Sequence, residues 1–369
     1  MVPVPEQPNL LVTVFLTFIL CLVLVLPLRV HVIEKNLEYF FALMGLLSIG
    51  GVYTLGLVSS ELLDEVFSHA LFSPVSIGGK PIGITQVVLL AGLAFGVLGE
   101  KFYSAISNAS RRLGLPLLVF VVVLALGLSS SLISAIVASV VAAEILRGLP
   151  VGDEKKRRIA VVACFSIGAG AALTPVGEPL STIAVSKLSG EPYHAGFWFL
   201  VDLLGPIIVP LILGLSIYAA FIARGIEAGR ASSLGLSGSG SRISDAFTRA
   251  FRVYVFVFAL ELLGASFSPI SYWYLRRMPD WAVYWFNTIS AVLDNATLTA
   301  AEISPALSIE QIRSALMSLI ISGGILIPGN VPNIVVAARL DIGSREWARI
   351  GLPLGFALLA ACFPVVELL

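Results

Sequence analysis

The stretch Gly168-Ala-Gly-Ala-Ala-Leu-Thr-Pro-Val-Gly-Glu-Pro-Leu-Ser-Thr182 sets several helix breakers and one carboxylate inside an apolar run. Backbone groups freed at Pro175, Gly177 and Pro179 find no hydrogen-bond partner in lipid, so such a break persists only where protein buries it or where it lines a wet cavity. Glu178 points the same way. An ionisable side chain at mid-membrane costs about 3 kcal/mol on insertion scales and is tolerated chiefly where it works or is paired. The stretch reads as half of an ion site.

The other half emerges when the sequence is slid along itself. Pro175 and Pro179 fall on Pro328 and Pro332 at a shift of 153, and Gly170 falls on Gly323, within Ser322-Gly-Gly-Ile-Leu-Ile-Pro-Gly-Asn-Val-Pro-Asn333. Upstream, Ile133-Ser-Ala-Ile-Val-Ala-Ser139 aligns with Ile289-Ser-Ala-Val-Leu-Asp-Asn295 at 156, and Ala142-Ala-Glu-Ile145 with Ala300-Ala-Glu-Ile303 at 158. Two copies of one unit are expected. Gly/Pro-interrupted hydrophobic segments at corresponding positions of two halves mark the binding site of a secondary transporter.

Composition agrees. The chain has 369 residues, 57% hydrophobic and 12% charged, with a mean hydropathy of +0.97, and several apolar runs are long enough to cross a bilayer. Formal charge is zero and there is no long basic tract, which argues against nucleic acid as a partner. Cys21, Cys164 and Cys362 lie far apart in apolar runs and read as small buried hydrophobes. His31, His69 and His194 are too scattered for a metal site or a catalytic triad and receive no role.

Apolar runs place spans at 10–28, 39–60, 82–99, 197–222, 254–267 and 347–366, with two broken segments at 159–187 and 312–339. No basic residue precedes the first run and no small-residue cleavage site follows it, so it reads as a span and not a signal peptide. Residues 61–72 form one apolar stripe with an acidic face and read as a helix along the interface. Lys101, Arg111 and Arg112 on one side of the block 115–146, and Lys155 to Arg158 on the other, are both cytoplasmic by the positive-inside rule. The block must therefore be two passes, either a pair of spans or a re-entrant hairpin that turns near Ser129-Ser130-Ser131 or within Ser134 to Ser139. A second hairpin, centred on Asp294-Asn295, enters from the opposite side. The Gly/Ser-rich stretch within Arg224 to Arg252 reads as a flexible linker, reaching roughly 25–30 Å along one surface. Arg339, Arg345 and Arg349 fall on the cytoplasmic side, whereas Arg276 and Arg277 violate the pattern. The five Trp and most Tyr residues fall near expected interfaces, as a belt requires.

The expected fold is thus an all-α polytopic membrane protein. It has about eight spans plus two re-entrant hairpins, in an inverted repeat with two broken helices. Residues 1–81 hold N-terminal spans and an interfacial helix, 82–222 the first repeat, 223–250 a cytoplasmic flexible linker and 251–369 the second repeat. Asp294 and Asn295, with Ser290, Thr297 and Thr299 nearby, offer the oxygen ligands a hard cation prefers. Glu178 brings a second carboxylate, so proton and cation can compete for one site. Asp294 and Glu178 are the sodium candidates, against the alternative that each caps a broken helix. Glu144 and Glu302 sit near segment ends and read as snorkelling to the interface, Asp202 and Glu367 as exposed. Glu261 lies deeper, either in a proton relay or paired.

These motifs resemble the ion transporter superfamily that includes the NhaD-type sodium/proton antiporters, the arsenite permeases and the divalent-anion/sodium symporters, and within it a family of predicted prokaryotic cation transporters. Thr174-Pro-Val-Gly-Glu178 with Ser181-Thr182 is similar to the antiporters' break with its trailing threonines. Leu293-Asp-Asn295 is similar to their hairpin Asp-Asn, and Gly329-Asn330 with Asn333 to their second break. The resemblance implies ion binding by Asp294, Asn295, Glu178, Thr174, Ser181, Thr182 and Asn330. It implies helix breaks at Pro175, Gly177, Pro179, Pro328, Gly329 and Pro332. It further implies a multi-pass protein of the cell membrane, commonly a homodimer, that moves a small inorganic ion without a cofactor, with sodium and protons as cargo. The first hairpin departs from the pattern, since Ala138-Ser139 stands where the second has Asp294-Asn295. Antiport, symport of an anion or dicarboxylate, and a non-transporting membrane protein stay open, and no nucleophile and base are placed together as an enzyme would need.

Overall fold

The computed structural model describes residues 7–75, 112–224, 243–274 and 278–368, apart from 31, 34, 35, 294, 304 and 306, together with a few positions between 85 and 108. Asp294, most of the expected span at 82–99, most of the linker, Lys101, Arg111, Arg276 and Arg277 lie outside the described residues.

Every described element is helical. The chain opens with α1 (Leu10–Arg29), which starts where the Asn9 side chain accepts from the Leu11 and Val12 amides, as a good N-cap does. It continues with α2 (Leu37–Thr54) and α3 (Ser60–Phe72), close to the expected interfacial helix. After the gap come α4 (Leu115–Ile133), α5 (Ala135–Gly148), α6 (Asp153–Ala171), α7 (Pro179–Lys187) and α8 (Phe199–Ile222). The last part holds α9 (Ile243–Tyr274), α10 (Asp280–Phe286) with a 3-10 turn at Asn287–Ala291, α11 (Asn295–Glu302), α12 (Ile309–Gly323), α13 (Val331–Leu340) and α14 (Ser344–Leu368).

Among the described residues, six stretches are long and apolar enough to cross a membrane: Leu10–Pro27, Leu37–Thr54, Leu115–Ile133, Phe199–Ile222, Ala250–Phe267 and Ser344–Leu368. At 1.5 Å per residue each covers about the 30 Å of hydrocarbon. The chain is an integral membrane protein. Of the eight expected spans, five coincide with these stretches, most of the one at 82–99 lies outside the described residues, and the two broken segments are not continuous helices; α4, the first arm of the block 115–146, is itself long enough to cross.

The first hairpin turns at Ser134. Its φ of 74° puts a residue with a Cβ in the left-handed half of backbone space, which stops α4 and lets α5 start one residue later. With 14 residues, α5 reaches only about 21 Å, too short to cross alone. Both arms pack on α6. A Cβ on Gly170 would sit 1.7 Å from the Gly127 carbonyl oxygen, so only glycine lets α4 and α6 approach this closely. Ser130 Oγ donates to Ile167 O at 2.9 Å across the same seam. The second hairpin, α10 with its 3-10 turn, lies against α12 in like manner, with Ser290 Oγ donating to Leu319 O at 3.3 Å. Between the two parts the packing crosses over: α5 lies against α13, and α11 against α7. At the N-terminal end, α9 packs on α2 and α3.

Several expectations are corrected. Glu144 and Glu302 do not reach the interface; both are buried, Glu144 against Arg339 and Glu302 against Asn287. Arg339, read as a topology signal, is a buried ion-pair partner. Trp273, Trp347 and Tyr284 are core residues and not part of a belt. Cys21 is exposed, while Cys164 and Cys362 are buried. Glu261 lies against His69, Oε2 to Nδ1 3.4 Å, so that histidine does have a partner. Asp202 and Glu367 are exposed, as expected.

Candidate functional site: two broken helices

The chain leaves helix after Ala171 and re-enters it at Pro179; it leaves again after Gly323 and re-enters at Val331. Each break frees carbonyls at the end of one helix, and each is closed by one buried side chain in the first turn of the next. Ser181 Oγ donates to Thr174 O and Glu178 O, both at 2.7 Å, and lies 3.5 Å from Ala171 O. Asn333 Nδ2 donates to Gly323 O and Leu326 O, both at 2.8 Å. These bonds satisfy backbone acceptors that lipid could not, and so allow the breaks to exist inside buried, largely apolar segments.

The glycines match as well. A Cβ on Gly177 would lie 2.0 Å from Ala171 O, and one on Gly329 2.6 Å from Gly323 O. Ser181 and Asn333, Gly177 and Gly329, Ala171 and Gly323, and Glu178 and Asn330 are all related by 152 positions. The proline register of 153 is therefore corrected by one residue. Proline lacks an N–H and fits either of the first helical positions, so Pro179 occupies the first position of α7 and Pro332 the second of α13. Pro175 and Pro328 lie inside the two breaks, Pro328 within the 3-10 turn Ile327–Gly329.

Glu178 and Asn330 occupy the same place, the N-cap of the second half-helix, with extended backbone at φ −156° and −153°. Both are buried, and neither side chain bonds to the helix amides below it. A capping role is thus not what these two side chains perform.

The first set of polar groups holds Thr174, Glu178 and Ser181, all buried, on the turn that meets the first hairpin. Thr174 Oγ1 donates to Ser131 O, and Ala135 N donates to Gly177 O at 2.8 Å. Thr182 does not join them: it is exposed, and its hydroxyl returns to Pro175 O. The second set holds Asn295, Asn330, Asn333 and Ser322. A Cβ on Gly323 would lie 3.3 Å from Asn295 Nδ2 and 3.5 Å from Asn330 Cβ, and one on Gly168 2.7 Å from Asn330 Nδ2. Asn330 therefore reaches from the second break to the last turn of α6, just ahead of the first break. Asn295 Nδ2, Asn333 Oδ1 and Ser322 Oγ are buried and make no hydrogen bond among the described residues. Unfilled buried polar atoms at one place are what a small bound ion or water could serve.

The hairpin register also changes. Helix α5 starts at Ala135 and α11 at Asn295, and Ser130 and Ser290 make equivalent bonds, all at a shift of 160. At that shift the counterpart of Asp294 in the sequence is Ser134, not Ala138. Asn333 figured in the sequence only in the resemblance of the second break and carried no ion-binding role, although its place three residues after Asn330 in an apolar segment was a usable signal. Asn287 carried none either.

These observations define a helical integral membrane protein in which two helices are interrupted at buried polar segments. The chain belongs to the family described as protein of unknown function (DUF1646), whose model matches residues 13–369. Curated proteins provide no match to the sequence.

Proposed function

We propose that the protein is a secondary active transporter for a small cation, a sodium/proton antiporter working by alternating access, and neither an enzyme nor a passive scaffold. The observation that carries this reading is the pair of breaks closed by Ser181 and Asn333 on one hydrogen-bond plan. The crossed packing of α5 on α13 and α11 on α7 supports an inverted repeat in which each hairpin serves the other half's broken helix. In such a site the amino ends of α7 and α13 present partial positive charge, and the carbonyl ends of α6 and α12 partial negative charge. Glu178, Thr174, Asn295 and Asn330 supply further oxygens. Asp294, adjacent in sequence to Asn295, is the point shared by cation and proton. Cation affinity then rises with pH until that carboxylate is ionised and flattens beyond, and Asp294→Asn loses this dependence. The protein acts in the cell membrane as a homodimer in this reading.

A second reading rests on the second set of side chains, which are amides and hydroxyls and suit an anion or dicarboxylate carried with sodium. Purified protein in proteoliposomes separates the two. Sodium or lithium that dissipates an imposed pH gradient supports antiport; sodium-driven anion uptake indifferent to that gradient selects the second reading. Movement of no ion in either assay removes both.

A further inference from the structure

At the end of α11 away from Asn295, Glu302 is closed inside the protein. Its Oε2 accepts from Asn287 Nδ2 at 3.0 Å, and the same amide donates to Ser318 Oγ at 2.9 Å. The Ser318 hydroxyl in turn donates to Ala315 O at 2.9 Å. Glu302 is 7% exposed, and Asn287 and Ser318 are 0% exposed. Two acceptors in this cluster, Glu302 Oε1 and Asn287 Oδ1, receive no hydrogen bond among the described residues.

An ionised carboxylate here would have one neutral donor and, among the described residues, no ion-pair partner. Of the charged groups on the neighbouring elements, Lys187 comes nearest, and the others pair with other residues or lie outside the cluster. Lys187 of α7 donates to Ile303 O at 3.2 Å. Glu261 of α9 lies against His69, and Arg252 of α9 against Glu38. On α12, Glu310 is exposed and Arg313 makes no ion pair with Glu302 among the described residues. A buried charge without a partner is strongly disfavoured and neutralises by taking a proton. A desolvated metal cation would need around six oxygens, and the cluster offers two unfilled ones.

We propose that Glu302 is a proton-binding site, held as the neutral acid inside the second hairpin and ionised only when that hairpin opens to water. Asn287 suits both states: its amide N–H2 donates to the carboxylate, and turned over, its Oδ1 accepts from the acid. The transport reading gives this site its use, as a second proton-carrying group beside the Asp294 carboxylate where cation and proton compete, and the proposal rests on that reading for its purpose alone. Protonation itself is measurable without transport.

The experiment is infrared difference spectroscopy of the purified full chain, titrated from neutral to alkaline pH and read at the carboxylic acid C=O stretch. Wild type should show a protonated-acid band at neutral pH that is lost on alkalinisation. Glu302→Gln should remove that band, whereas Glu310→Gln, on the surface, should leave it. Asn287→Ala removes the donor to the ionised form and should move the midpoint to higher pH. It also keeps the test alive if Glu302→Gln does not fold. A wild-type protein without such a band, a band that survives Glu302→Gln, or a midpoint unmoved by Asn287→Ala overturns the proposal. If proteoliposomes show no flux while the Glu302 band is present, the transport reading fails and the proton site stands.

Discussion

Arg339 on α13 donates to Glu144 on α5, and both side chains are almost fully buried, at 2% and 1% exposure. The pair joins the second arm of the first hairpin to the second half of the second broken helix. Arg147 also approaches Glu144, at 3.8 Å. Removing one member of a buried pair leaves an uncompensated charge and costs about 3–5 kcal/mol. Glu144→Leu, which strands Arg339, should therefore destabilise more than Arg339→Met, after which Arg147 remains near the carboxylate. The double variant should recover most of the loss. Thermal unfolding in detergent of the two singles and the double checks this, and purely additive effects would refute the coupling.

Close approach at the two breaks makes a sharper demand. Gly177→Ala and Gly329→Ala each drive a methyl into a carbonyl oxygen of the preceding helix, at 2.0 and 2.6 Å, and backbone must move. Overpacking of this kind costs about 1–3 kcal/mol or more, with Gly177→Ala the worse. Gly190→Ala meets nothing within 4 Å and serves as the control. Yield of monodisperse protein is the readout; three equal yields would contradict the geometry.

The helix breaks were legible because proline, glycine and a carboxylate in an apolar run admit few other readings. Their register was not, since proline tolerates two neighbouring helix positions while the bond from Ser181 or Asn333 to the carbonyls tolerates one. The hairpin register slipped for a similar reason. Small-residue matches such as Ile-Ser-Ala recur cheaply, and the turn is set by backbone conformation at Ser134. Glu144 was misread because its partner Arg339 is 195 residues distant, and no local pattern announces a pairing between halves. Glu302 and Asn287 meet across a hairpin whose short 3-10 turn has no periodic signature.

Closing the breaks should carry measurable stability. Asn333→Ala removes the donor to two buried carbonyls, Gly323 O and Leu326 O, at about 1–3 kcal/mol for an unsatisfied group. Ser181→Ala should cost a similar amount at the first break. Asn333→Ser, which restores one donor on a shorter arm, should fall between Asn333→Ala and wild type. The check is the unfolding midpoint of each variant, and an Asn333→Ala protein as stable as wild type would mean that those carbonyls are served in another way.

At the surface, the hydrogen bond to Glu261 raises the pKa of His69 above its ordinary value. A raised folded pKa means that the stabilisation is fully present below the unfolded value of about 6.5 and fades as pH rises through the folded one. With the imidazole 72% exposed, solvent screening holds the effect to roughly 0.2–1 kcal/mol. The gap in melting temperature between wild type and His69→Gln should shrink as pH increases. A gap that widens with pH reverses the sign and removes the pairing.

Glu178 and Asn330 test whether the break residues serve function or structure. They occupy one backbone geometry in two copies, and neither caps its helix, so they differ in charge and not in mechanical duty. A lost N-cap costs about 1 kcal/mol. Glu178→Gln, which keeps the length and one oxygen, should therefore change stability by less than that while reducing ion exchange to background. Asn330→Asp places a second carboxylate at the equivalent position and should shift the pH dependence of transport without unfolding the protein. Both are measured as ion flux in proteoliposomes beside the unfolding midpoint in detergent. Full exchange by Glu178→Gln removes the carboxylate from the ion path. A large loss of stability with unchanged flux would make the residue part of the scaffold instead.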